Sequence, residues 1–126
     1  MGGRLEGNVA LVTGAGSCGP GWGNGKAAAV QFAREGAAVC CVDIDLSAAR
    51  ETTQIIEGEG GRSTSIECDV ANRVAVETMI EACVGEFGRI DVLHNNVGII
   101  ELGGVVDTTE ESWDHVLDVN LKSMFL

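Results

Sequence analysis

The sequence contains no tyrosine and one proline, and aromatic residues make up only 4% of it. Without tyrosine there is no phenol to serve as an acid or a base, so chemistry that needs one has to come from another chain or segment. A single proline excludes polyproline and collagen-like architectures. Basic residues are also scarce: eight Lys and Arg stand against 19 Asp and Glu, giving a net charge of −11. A surface of that sign repels phosphate backbones and anionic lipid heads, which argues against nucleic-acid and membrane partners. No apolar run reaches the ~18 residues of a membrane span. The first residues, Met-Gly-Gly-Arg-Leu-Glu, carry no apolar leader core. They begin Met-Gly, but Glu6 stands where an acylation signal needs Ser or Thr. A cytoplasmic, soluble protein is expected. The five cysteines have no Cys-x-x-Cys spacing, which points to buried reduced thiols and no metal site. Cys40 and Cys41 are adjacent and should face opposite sides of a strand.

Glycine, by contrast, is abundant at 18 residues, and 45% of the chain is apolar. The 126 residues suit one domain spanning 1–126, large enough to bury about two-thirds of its unfolded surface. Short apolar runs alternate with helical periods. Val9–Val12, Ala38–Ile44, Ser63–Cys68 and Ile90–Leu93 read as strands, and the second has apolar residues on both faces, as in a covered parallel sheet. Helices are predicted over Lys26–Glu35, Leu46–Glu57 and around Val76–Phe87, each closed by glycine. A last helix begins after Asp107, with Thr108 and Glu111 as its capping box. Its apolar face is Trp113, Val116, Leu117, Leu121, Met124 and Phe125, still periodic at Leu126. The pattern predicts right-handed crossovers and a doubly wound, Rossmann-type parallel α/β sheet in the order 3-2-1-4. The ligand crevice should open between strands 1 and 4. The sheet is expected to be truncated before the fifth strand that would cover strand 4.

The first strand runs into Thr13-Gly14-Ala15-Gly16, and a glycine-rich stretch continues to Gly25 before a helix. A helix start presents unpaired N–H groups and partial positive charge, so it holds a diphosphate without a cationic side chain. The literal G-x-G-x-x-G pattern falls on Gly14, Gly16 and Gly19. Pro20 and Gly21 follow it immediately, and neither favours a helix. The preferred reading uses Gly14, Gly23 and Gly25, with Cys18-Gly19-Pro20-Gly21-Trp22 bulging out as an insertion. Trp22 either folds over the diphosphate or packs on the first helix, packing being favoured. Asp43 closes the second strand, where a carboxylate accepts both ribose hydroxyls and repels the 2′-phosphate of NADP. Asp43 could also be a solvated acid, and Asp45 lies close by; position and spacing favour Asp43 as the ribose ligand.

These residues resemble the short-chain dehydrogenases/reductases over essentially the whole chain. Thr13-Gly14-Ala15-Gly16-Ser17, joined across the insertion to Gly23-Asn24-Gly25, is similar to that family's Thr-Gly-x-x-x-Gly-x-Gly turn, with Asn24 at a usually aliphatic position. Asp69-Val70 resembles the pair that holds adenine. Asn95-Asn96-Val97-Gly98 resembles the Asn-Asn-Ala-Gly segment beside the cofactor. Asn120 resembles the helix asparagine of the Asn-Ser-Tyr-Lys tetrad. The resemblance implies NAD, less so NADP, held by Gly14, Gly16, Ser17, Gly23, Asn24, Gly25, Asp43, Ile44, Asp69, Val70, Asn96, Val97 and Gly98. It also implies hydride transfer between a small alcohol and a carbonyl, catalytic involvement of Asn120 in a water relay, and a homo-oligomer. The Ser and Tyr-x-x-x-Lys of the tetrad lie beyond the region matched, so this polypeptide alone is expected to be inert. A non-catalytic dinucleotide-binding or interaction module is the alternative. His94 and His115 are read as structural, and Lys122 is not the tetrad lysine.

Overall fold

The computed structural model describes residues 3–126; Met1-Gly2, on which the acylation reading depends, lies outside them. Four strands form one parallel sheet: β1 (Val9–Thr13), β2 (Ala38–Asp43), β3 (Ser63–Glu67) and β4 (Val92–His94), in the order β3-β2-β1-β4. Leu11 lies beside Cys40 on one side and Leu93 on the other, which sets the register at the centre. The helices are α1 (Asn24–Arg34), α2 (Leu46–Gly58), α3 (Arg73–Phe87) and α4 (Glu110–Leu117). A π-helical turn, 118–122, and a short α5 (Ser123–Phe125) continue the last one. The expected sheet order and fold class are therefore observed.

The core divides across the sheet as the period-2 geometry of strands requires. Val9, Leu11, Cys40 and Val42 face Val76, Met79 and Cys83 of α3. Ala10, Val12, Val39 and Cys41 face Ala29 and Val30 of α1 and Ala49 and Ile56 of α2. Cys40 and Cys41 do point to opposite sides. The expectation of reduced thiols is corrected at one pair: Cys40 and Cys83 form a disulfide, with Cα atoms 6.2 Å apart. Packing of α3 on β2 brings together two cysteines 43 positions apart, which no local spacing announces. Cys41 and Cys68 are free and buried as expected, whereas Cys18, in the glycine-rich loop, is free but exposed.

Helix ends follow the capping residues. Asp45 accepts from the amides of Ser47 and Ala48 at the start of α2, and Asn72 accepts from that of Ala75 at the start of α3. The cap of the last helix differs by one position from the sequence reading. Thr109, not Thr108, accepts from the Ser112 amide, while the Thr108 hydroxyl turns back to the Gly104 carbonyl. The π turn then inserts a residue into the helical phase. In consequence Val119, outside the apolar face expected from strict periodicity, is the buried residue of this segment. Strand 4 begins two residues later than its apolar run, because Asp91 is engaged otherwise. Its amide donates to the Val9 carbonyl and its carboxylate accepts from the Val9 amide, both at 2.8 Å.

Candidate functional site

The carboxyl ends of β1, β2 and β4 surround a cleft of about 430 Å³. It is built upward from the turn after β1. Gly14 takes φ +65°, a left-handed conformation that favours glycine. Its carbonyl lies so close to Gly25 that any Cβ at position 25 would collide with it. The turn and the start of α1 therefore touch backbone to backbone. Gly16 is required for a different reason: a Cβ there would run into Ala48 of α2. At Gly19 a Cβ would meet nothing within 4 Å. The close-packed glycines are thus 14, 16 and 25, and the helix opens at Asn24, after the insertion.

Gly23 caps α1 with an extended backbone and no side-chain acceptor, whereas α2, α3 and α4 each receive an Asp, Asn or Thr cap. Asn24 and Gly25 line the cleft at a helix start that has no side-chain cap, the arrangement that accepts an anion. The Gly23 amide donates to Ser17 Oγ at 3.0 Å and closes the insertion on itself. Thr52, fully buried on α2, donates to the Ala15 carbonyl at 2.7 Å and ties the loop down from below. Nothing in the sequence singled out Thr52, since a threonine inside an amphipathic helix looks like any other small residue.

At the end of β2, Asp43 accepts from the Gly16 amide on one oxygen and from the Asp45 amide on the other, each at 3.0 Å. A carboxylate has about four acceptor sites, so about two remain for a ligand. Beside it Ile44 is largely exposed, and Val70 lies buried after β3. Asp69 accepts from the Ala71 amide on one oxygen. Cys68, next along the wall, has its thiol pKa pushed up by burial and then by the neighbouring Asp69 charge. It is a neutral wall residue rather than a nucleophile.

The opposite wall is stitched to β1 by two residues. Thr13 Oγ1 accepts from the Asn96 amide at 3.1 Å, and Asn96 Nδ2 donates to the Gly14 carbonyl at 3.2 Å. Thr13, which opens the Thr-Gly turn of the sequence, thus supports the cleft wall through its hydroxyl. Asn120 sits in the π turn. Its Oδ1 accepts from the Ile99 amide at 2.7 Å and its Nδ2 donates to the Ile99 carbonyl at 2.9 Å. The side chain thus clamps the loop that follows Gly98.

Every residue expected to hold a dinucleotide lines this single cleft. Asn120 does not line it; it acts on the wall through Ile99. His115, read from the sequence as structural, is an exposed lining residue, and Cys18, Ile99 and Val119 join it. His94 instead meets the Phe32 ring edge-on and does not line the cleft. Lys122 is exposed and has no tyrosine partner in this sequence. Among the described residues no group of three or more His, Cys, Asp or Glu could hold a metal ion. No helix among them is long and apolar enough to cross a membrane.

The residues fit a dinucleotide on grounds of their own: uncapped amides for the diphosphate, a glycine cradle that a Cβ would fill, and an acid with spare acceptor sites at the next strand end. Comparison with known proteins gives the family. The family described as short chain dehydrogenase matches residues 8–126. An uncharacterized oxidoreductase of Thermotoga maritima is 42% identical over 98% of this chain and 46% of its own length. A 3-oxoacyl-[acyl-carrier-protein] reductase from the same organism is 41% identical over 97% of this chain and 48% of its own. The crystal structure of a short-chain dehydrogenase/reductase from Burkholderia xenovorans superposes with a TM-score of 0.93 at 48% identity, covering 98% of this chain and 49% of that one. The chain spans about half the length of the relatives it matches. With a 3-2-1-4 parallel sheet, a glycine-lined cleft at its strand ends and this match along nearly all its length, the chain belongs to the short-chain dehydrogenase family of NAD(P)-dependent oxidoreductases.

Proposed function

We propose that this chain binds NAD in the cleft as the nucleotide-holding part of an enzyme that moves hydride between a small alcohol and a carbonyl. The observation that carries the reading is the start of α1, whose first amides lack a side-chain cap and open beside Gly14. Asn24 and Gly25 donate backbone N–H groups to the diphosphate, and Gly14, Gly16 and Gly23 let it approach. Asp43 accepts the two adenosine ribose hydroxyls with the lone pairs left by Gly16 and Asp45. The same fixed carboxylate repels a 2′-phosphate, which selects NAD over NADP. Ile44, Asp69 and Val70 take the adenine. Asn96, Val97 and Gly98 flank the nicotinamide half, and Asn120 keeps their loop in place. The bound cofactor supplies the hydride acceptor or donor.

Proton transfer is a separate requirement. Reduction of a carbonyl needs a proton delivered to its oxygen, and no tyrosine is available here to deliver it. Asn120 contributes to a water relay only where a Ser and a Tyr-x-x-x-Lys complete the set in the whole protein. By itself the 126-residue chain is therefore a binder without turnover. The whole enzyme is a cytoplasmic homo-oligomer on this reading, with exposed Leu121 and Phe125 at or near its contacts. Titration calorimetry with NAD and NADP, repeated on Asp43→Ala, tests the proposal. Tighter NAD binding that Asp43→Ala abolishes supports it; tighter binding of NADP to the unaltered chain refutes it. The absence of tyrosine also favours a second reading, a non-catalytic dinucleotide-binding module. Isolation of the whole protein with full dehydrogenase turnover would exclude that reading.

A further inference from the structure

The Cys18–Trp22 insertion has no assigned part in holding the dinucleotide, and its own packing is slight. Its residues are exposed, and a Cβ added at Gly19 or Gly21 would meet nothing within 4 Å. Two ties fasten it. One is the Gly23 amide on Ser17 Oγ, at 3.0 Å. The other is Lys26, whose ammonium lies 5.1 Å from the centre of the Trp22 ring. We propose that Lys26 is the positioning residue of the phosphate loop, pinning Trp22 and the insertion onto α1 and α2 so that the first turn of α1 stays open to a diphosphate. The inference deepens the NAD-binding reading and rests on it.

On stability grounds alone, position 26 is a costly place for a charge. The residue is only 7% exposed, and burial of an ammonium is costly unless a partner compensates. It also stands in the first turn of α1, where the helix dipole disfavours a cation. Glu51 on α2 is its ion-pair partner, but at 4.0 Å and with a largely exposed carboxylate the pair is loose. The indole face supplies the other attraction. Lys26 does not act on the diphosphate directly. It lines a neighbouring open hollow with Asp45 and Glu51, on the other side of Ser17 and Cys18 from the dinucleotide cleft. Its effect must therefore pass through Trp22 and the loop.

The test uses the 126-residue chain carrying Trp113→Phe, which leaves Trp22 as the sole tryptophan. Fluorescence anisotropy of Trp22 reads the loop, and calorimetry reads the NAD dissociation constant. Lys26→Met should lower the anisotropy and weaken NAD roughly tenfold, the size expected for a partly desolvated cation–π contact. Lys26→Arg should restore both. Trp22→Leu, which removes a half-exposed ring without threatening the core, should weaken NAD as much as Lys26→Met, and the double variant no more than either. Unchanged anisotropy in Lys26→Met, or undiminished NAD affinity in Trp22→Leu, overturns the proposal. If the parent chain binds no NAD, the functional reading fails, while the anisotropy arm still decides whether Lys26 holds Trp22.

Discussion

Substituting Gly25 and Gly19 by alanine separates two ways of aligning the phosphate loop. A methyl group at position 25 must displace the Gly14 carbonyl and also meets Asn96 Nδ2 at 2.5 Å. Overpacking a rigid contact costs about 1–3 kcal/mol. Losing the Asn96–Gly14 hydrogen bond adds about 1 kcal/mol. Gly25→Ala should therefore destabilise the chain by about 2–4 kcal/mol, or roughly 8–16 °C in Tm for a domain of this size. It should also abolish measurable NAD binding, because the amides it moves are those proposed to hold the diphosphate. Gly19→Ala enters open space and should change stability by less than about 0.5 kcal/mol, with NAD affinity preserved. Thermal unfolding followed by circular dichroism, with calorimetric titration of each variant, reads both quantities. An alanine tolerated at 25 but not at 19 would refute the reasoning and restore the uninterrupted G-x-G-x-x-G alignment.

Further outcomes follow from other contacts. Reducing the Cys40–Cys83 bond opens a 43-position loop and should cost about 4 kcal/mol in denaturant unfolding; an identical transition with and without reductant would contradict the pairing. Asn120→Ala removes both hydrogen bonds to Ile99 and should cost about 1–2 kcal/mol, with weaker NAD binding; unaltered affinity would show that the loop needs no clamp. The Arg89 guanidinium and then the Val9 amide hold the Asp91 carboxyl below its ordinary range. That stability is fully present above the usual carboxylate pKa and is lost as pH falls through the depressed value. Asp91→Asn should consequently be less stable at neutral pH and converge with the parent in acid, as checked by denaturant midpoints against pH.

The parts of this fold that were readable from residues are those fixed by local pattern. Val9–Val12 is apolar throughout and Ala38–Ile44 carries apolar residues on both faces, as in a covered parallel strand, and the 3-2-1-4 order is that of a doubly wound sheet. Pro20 and Gly21 do not suit a helix, which places the helix start after Cys18–Trp22, and α1 opens at Asn24. What escaped the sequence depends on through-space packing. The Cys40–Cys83 bond and the Thr52–Ala15 hydrogen bond join segments with no sequence relation to each other. The π turn at 118–122 shifts the helical phase by an amount that strict periodicity cannot anticipate, and Val119 rather than its neighbours is buried there. The one-residue error at the last helix start has a smaller cause. Thr108 and Thr109 are both competent caps, and the Thr108 hydroxyl is taken by Gly104.

The central claim is that backbone amides at the start of α1 grip a dinucleotide's diphosphate. Amide resonances of the isotopically labelled chain, followed during titration with NAD, test it most directly. The account predicts that the largest shifts fall on Asn24 and Gly25, with Gly14, Gly23 and Asp43 next. Saturable NAD binding that leaves those amides unmoved and shifts residues elsewhere would contradict it.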